Sequence, residues 1–321
     1  MKDTFFKVEN LNVDIKLDNK LVSVINDVNF ELEKGKILGI IGESGSGKSV
    51  TCTSLLGLLD SKKWDCRGSM ELKSEKFDLS DTKSFERLRG VKIGMIMQNP
   101  MSAFDPLFTI GDHFIETKKA HTNESKEEIL RSAKNILSRM RIKNPDKVLK
   151  LYPFECSGGM LQRIMIGIAV LIKPDILIAD EPTTALDQTV QYEILKIIKE
   201  LKENGTSIIF ISHDLKIVQS VSDYIAVMYG GYIIEKIKND DIELDIAHPY
   251  SKALLDSRPK FSKKRLAVLE GVPPTLLERE NGCPFYNRCK NAVDSCSNFD
   301  MNEKSISKDH FIRCIYLDGG K

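Results

Sequence analysis

The chain has 321 residues, 41% of them apolar, enough to bury the core of one large α/β domain and carry a smaller appendage. Its 47 basic and 46 acidic residues leave a net charge of +1, which gives no support to a nucleic-acid or other polyanion partner. No apolar run approaches the ~18 residues a membrane span needs, and the first six residues carry no secretory pattern, so a soluble cytosolic chain is expected.

Strand patterns open the chain at residues 11–15, 22–25 and 28–32, followed by a turn at Glu33-Lys34-Gly35. Residues 37–41 form a short continuous apolar run, the pattern of a buried parallel strand. A glycine-rich loop follows, then a helix reaching Leu55 and Leu56. Between about 101 and 170 the period becomes helical, with Ile129, Leu130, Ala133, Ile136, Leu137 and Met140 at three- and four-residue spacing. Further buried-strand patterns lie at 176–179 and 207–211, with a helix around 192–198 between them and a β-rich stretch at 224–229. Strands alternating with helices predict a mostly parallel sheet. Composition shifts near residue 245, where Pro249, Pro259, Pro273, Pro274 and Pro284 accumulate beside four of the seven cysteines. A domain boundary is expected there, giving domains 1–245 and 246–321.

The glycine-rich loop reads Gly42, Glu43, Ser44, Gly45, Ser46, Gly47, Lys48, Ser49, with Val50 next. Its spacing is that of a phosphate-binding loop. Successive backbone N–H groups curl into an anion nest, and glycines let the backbone approach the phosphates. Lys48 is expected to reach the β- and γ-phosphates and the Ser49 hydroxyl to bind Mg²⁺. The strand before the loop and the helix after it are the context this chemistry requires. The pattern alone does not separate transport ATPases from GTPases, kinases or helicases.

A second strand ends in Asp180-Glu181, at the sheet edge where open α/β folds bind ligands. Asp180 suits the Mg²⁺ shell, and Glu181 suits a general base for the attacking water. Ser157-Gly158-Gly159 opens a helix and forms another nest, although three such residues alone also fit an ordinary helix cap.

In this order the motifs resemble the ATP-binding subunit of ABC transporters, over nearly all of the first 245 residues. The resemblance implies a P-loop NTPase with a RecA-like core, an antiparallel β subdomain and a helical signature subdomain at about 101–170. Residues 42–49 look like the Walker A loop, and Gln98 like the Q-loop glutamine that contacts Mg²⁺ and senses the γ-phosphate. Ser157, Gly158 and Gly159 look like the signature motif. Asp180 and Glu181 look like Walker B and the catalytic glutamate, Ala185-Leu186-Asp187 like the D-loop, and His213 like the switch histidine. It further implies that two ATPase subunits pair head to tail, so that Ser157 and Gly159 serve the partner's ATP, and that closure drives a permease. Two departures stand out. Ile15 occupies the region where the family stacks an aromatic on adenine, and Cys156 opens the signature.

Residues 98–106, the His248-Pro249-Tyr250 motif and Gly271-Val272-Pro273-Pro274 resemble oligopeptide and dipeptide importer ATPases, with nickel importers as a related group. The implied partners are a paralogous second ATPase, two transmembrane permease subunits and, through them, an extracytoplasmic peptide-binding protein, at the cytoplasmic membrane face. The alternatives are a nickel importer ATPase of the same family and a soluble ABC ATPase with an Fe–S redox-sensing tail.

The tail, read as a small irregular Cys-rich domain, carries Cys283, Cys289, Cys296 and Cys314 at gaps of five, six and seventeen residues. Four thiolates can hold a [4Fe–4S] cluster or a Zn²⁺ ion. Zinc pairs are usually closer in sequence, and the family resemblance points to the cluster. Free or paired cysteines are the remaining reading. A metal staple would help a tail with little core to fold.

Overall fold

The computed structural model describes residues 5–18, 20–184, 186–257, 269–278 and 282–315. Ala185 of the expected D-loop and Pro259 of the proline-rich tail lie outside them. The chain opens with β1 (Phe6–Leu17), β2 (Lys20–Leu32), β3 (Ile37–Ile41), α1 (Lys48–Ser54), β4 (Trp64–Leu72), β5 (Glu75–Asp78) and β6 (Ile93–Ile96). Helices α2 (Ile110–Lys119), α3 (Lys126–Arg139), α4 (Pro145–Val148) and α5 (Gly158–Ala169) come next. Then follow β7 (Ile176–Asp180), α6 (Gln188–Glu203), β8 (Ser207–Ile211), α7 (Leu215–Val221), β9 (Tyr224–Tyr229) and β10 (Tyr232–Lys238). The tail adds α8 (Ile242–Asp245), α9 (Pro249–Asp256), β11 (Lys304–Ser307) and β12 (His310–Ile312).

Two compact units result. One comprises residues 1–33, 37–82 and 210–321; the other comprises 34–36 and 83–209.

In the first unit, β2, β1, β4 and β5 form an antiparallel sheet in that order. The two strand pieces expected at 22–25 and 28–32 are one strand. Asp27, at φ 43°, takes up a register irregularity without ending the pairing with β1. Beside this sheet in sequence, β3 pairs in parallel with β9, and β9 with antiparallel β10. All five residues of β3 are buried, as its unbroken apolar run predicts. From the tail, β12 pairs with β10 and β11 with β12. The tail expected to be irregular thus contributes two ordered strands, because His310 and Ile312 alternate inward along β12.

In the second unit, β6 lies parallel to β7, whose five residues are all buried. The helical stretch expected at 101–170 holds α2 to α5. Thr109 and Ser125 build capping boxes with Asp112 and Glu128, fixing where α2 and α3 begin. Ile129, Ala133, Leu137 and Met140 are buried, while Leu130 and Ile136 flank that stripe half-buried. Each fully buried aliphatic side chain contributes about 1.5–3 kcal/mol. Among the described residues, no helix is long and apolar enough to cross a membrane.

Candidate active site

In the first unit, the loop from β3 to α1 wraps around the side chain of Lys48, which is 6% exposed. Its Nζ donates to the carbonyls of Gly42 at 2.8 Å and Glu43 at 2.9 Å. A methyl group on Gly42 would stand 2.1 Å from the Met228 carbonyl of β9, so only glycine allows the strand to leave the sheet here. Gly47, at φ 107°, caps α1, and its Cβ would meet Ile25 at 2.4 Å. The loop is also gripped from outside. The Glu43 backbone N–H donates to the Tyr250 hydroxyl of α9 at 3.0 Å, and the Glu43 carboxylate accepts two bonds from Arg288 at 2.6 and 3.1 Å. Ser44, Gly45 and Ser49 are exposed. His213 follows β8 and is exposed, beside Asp214, which caps α7.

In the second unit, Asp180 ends β7 and is 5% exposed. Glu181 follows at φ 46°, in the left-handed region that costs a non-glycine residue of order 1 kcal/mol. Its Oε2 accepts the Gln98 side-chain amide at 3.2 Å and the Thr184 hydroxyl at 2.8 Å. The Thr184 backbone N–H closes a turn on the Glu181 carbonyl at 3.2 Å. Two donors thus orient the carboxylate through one oxygen. Thr184 was not marked by the sequence reading, although a hydroxyl three residues past an acidic strand end is the signal for such a turn.

Ser157 caps α5 and accepts the Met160 N–H at 3.3 Å, as the cap reading requires. A methyl on Gly158 would meet nothing within 4 Å, whereas one on Gly159 would strike Val190 of α6 at 2.7 Å. Arg163 fixes this helix by donating to Glu193 of α6 at 3.0 Å. Asp187 caps α6. Ile15 is half-exposed in β1, with Trp64 of β4 directly across the pair.

Cys283, Cys289, Cys296 and Cys314 line one small apolar cavity of about 20 Å³ together with His248 and Phe285. Burial pushes the Cys283 thiol up to about 12. His248 accepts the Tyr250 N–H on Nδ1 at 3.1 Å, while its Nε2 is buried without a hydrogen-bond partner. The donor set fits four-thiolate ligation in kind. As placed, however, no three His, Cys, Asp or Glu side chains among the described residues form a metal-ion site. The expected [4Fe–4S] cluster, and Zn²⁺ as its alternative, therefore have the convergence of the cysteines behind them and no formed site.

The sequence profile of the ABC transporter family matches residues 25–184, and that of the oligopeptide/dipeptide transporter C-terminal region matches residues 234–296. The dipeptide transport ATP-binding protein DppD of Bacillus subtilis is 40% identical over 317 residues, covering 97% of this chain and 94% of the relative. The chain belongs to the ABC transporter ATP-binding subunits of the oligopeptide/dipeptide family. Another relative, the oligopeptide transport ATP-binding protein OppD of Escherichia coli, is 39% identical, with 92% and 88% covered. A solved ATP-binding cassette dimer in a post-hydrolysis state, bound to ADP and Pi, aligns with a TM-score of 0.64 at 25% identity, covering 73% of this chain and 98% of that one. The expected fold class, a P-loop NTPase of α/β content, and ATP hydrolysis coupled to transport follow from this membership. The ABC ATPase so identified places Asp180 and Glu181 at the end of a buried parallel strand, as the sequence reading requires.

Proposed function

We propose that the chain powers uptake of dipeptides or oligopeptides as the ATPase subunit of an importer. What carries this reading is the tail: residues 234–296 match the oligopeptide/dipeptide transporter C-terminal region, and full-length relatives are named for the same transport. In this reading the backbone of residues 42–50 and Lys48 hold the ATP phosphates. Ser49, Gln98 and Asp180 offer hydroxyl, amide and carboxylate oxygens, the donor type Mg²⁺ takes. Mg²⁺ there would neutralise charge on the β- and γ-phosphates. Glu181 accepts the proton of the attacking water, and His213 stands near the γ-phosphate. Ser157, Gly158 and Gly159 receive the ATP of a head-to-tail partner, a paralogous ATPase. Exposed Met97, Met101, Leu107 and Phe108 offer apolar surface beside Gln98 for a permease helix. The enzyme then sits peripherally at the cytoplasmic membrane face, with two permease subunits and a peptide-binding protein reached through them. Residues 1–245 act as the ATPase and 246–321 as the importer-type tail.

Affinity purification of the tagged chain from membranes tests this, followed by uptake assays with labelled dipeptides, oligopeptides and Ni²⁺. Two permease subunits and ATP-dependent peptide uptake are expected. Recovery without permeases, or uptake of nickel alone, overturns the reading.

We also infer a [4Fe–4S] cluster at Cys283, Cys289, Cys296 and Cys314, supported by their sharing one cavity. Anaerobically purified protein should then show a broad absorbance near ~400 nm. Stoichiometric zinc without that band would replace the cluster with zinc.

A further inference from the structure

We infer that Arg288 and Tyr250, both from the tail, are positioning residues for the phosphate-binding loop, acting through Glu43. The inference rests on residues 42–49 being the ATP site. Glu43 is the second residue of that loop; its carbonyl serves the loop's own turn, accepting from Lys48 and Ser46, while its N–H and carboxylate face the tail. Its backbone N–H donates to the Tyr250 hydroxyl at 3.0 Å. Its carboxylate takes a two-pronged grip from Arg288, Nη1 to Oε2 at 2.6 Å and Nη2 to Oε1 at 3.1 Å. The guanidinium is itself fixed. It donates through Nε to the Glu270 carbonyl at 3.0 Å and through Nη1 to the Tyr229 hydroxyl at 3.1 Å. The Arg288 side chain is 5% exposed and Glu43 is 28% exposed, so this is not a surface pair held loosely in water.

The rings around the clamp leave it little freedom. Tyr229 and Tyr250 lie 4.5 Å apart, and Phe285, three residues before Arg288, contacts both at 5.3 Å. The loop is therefore seated against β9, α9 and the cysteine-rich segment at once. Two consequences follow. The loop's N–H groups are preorganised for phosphate, which lowers the ordering cost of binding. In addition, a carboxylate at the mouth of a triphosphate site is neutralised before an anion arrives. A bidentate Arg–carboxylate pair is not reproduced by lysine, which keeps charge and loses the fork.

The test is equilibrium binding of a fluorescent ATP analogue with Mg²⁺ to the purified full-length chain, with thermal melts alongside. Arg288→Ala should lower the melting temperature and, measured where it is still folded, weaken binding about tenfold. Arg288→Lys should recover part of that loss. In a Glu43→Gln background, Arg288→Ala should add no further loss, because Arg288 acts through Glu43. Unchanged binding in Arg288→Ala, or losses that simply add in the double variant, overturn the inference. If Arg288→Ala does not fold, Arg288→Lys decides: binding equal to the parent overturns it, and a weakening of about threefold supports it. Lys48→Ala separates the two readings, since intact binding in that variant would remove the ATP site itself.

Discussion

Gln98 donates its side-chain amide to Glu181 Oε2 at 3.2 Å, joining the residue expected at the γ-phosphate to the residue expected to activate water. The Thr184 hydroxyl donates to the same oxygen at 2.8 Å, so two neutral donors orient the carboxylate.

Glu181→Gln follows directly. The amide keeps an oxygen for Thr184 and fills the same volume, so folding and ATP affinity should match the parent. Basicity is lost, and phosphate release should fall by about 10²–10⁴. Turnover within tenfold of the parent would remove Glu181 from the role of base.

Thr184→Val tests the orientation separately. It keeps the shape and deletes one hydrogen bond, worth about 1 kcal/mol net. Turnover should drop about three- to tenfold at unchanged ATP affinity. A change in affinity with no change in turnover would assign Thr184 to binding.

The strongest sequence signals proved local. Residues 37–41 and 176–179 read as buried strands because their burial on both faces leaves no room for alternation, and both are buried at every position. The capping boxes of α2 and α3, which join residues only three apart, Thr109 with Asp112 and Ser125 with Glu128, are equally local. What the sequence hid depends on long-range pairing. Strand β4 carries Asp65, Arg67 and Gly68 and alternates poorly, so its pairing with β1 is visible only once β1 is placed. The grip of Arg288 on Glu43 spans 245 residues of chain and leaves no spacing to read. Thr184 stands three residues after Glu181, a spacing that suits the turn it closes, but its bond to the carboxylate is visible only in the structure.

Gly47→Ala and Gly45→Ala separate steric need from backbone need. Both glycines have positive φ, at 107° and 79°. A methyl on Gly45 meets nothing within 4 Å, whereas one on Gly47 meets Ile25 at 2.4 Å. Gly45→Ala should cost about 1 kcal/mol, seen as a small loss in melting temperature with ATP binding retained. Gly47→Ala should cost more and abolish ATP binding. Equal effects would show that backbone conformation alone sets the requirement.

Ser157→Ala distinguishes a helix cap from a site for a partner's nucleotide. As a cap, Ser157 is worth about 1 kcal/mol of stability. ATP binding to the isolated chain should be unchanged in either case. Only the nucleotide role predicts a loss of tenfold or more in turnover by the assembled transporter, beyond what the small melting shift explains. A melting shift with normal turnover leaves Ser157 as a cap.

Glu235→Gln tests what holds the tail to the sheet. Glu235 lies in β10 with its side chain fully buried, and its oxygens accept the Ala247 N–H at 2.7 Å and the His248 N–H at 3.1 Å. Its Oε1 also pairs with His310 Nε2 of β12 at 2.8 Å. Three groups from the tail therefore converge on one carboxyl, and α9, which carries Tyr250, begins where two of them meet it. Replacing one oxygen by an amide nitrogen turns a donor toward donors with no water to relieve the conflict, at a cost of about 3 kcal/mol. Denaturant melts should register that loss, and protease sensitivity should rise first in residues 246–315. If the coupling runs on to the phosphate loop through Tyr250, ATP binding should weaken in the still-folded variant. An unchanged melt would mean that the tail is held by its aromatic packing instead.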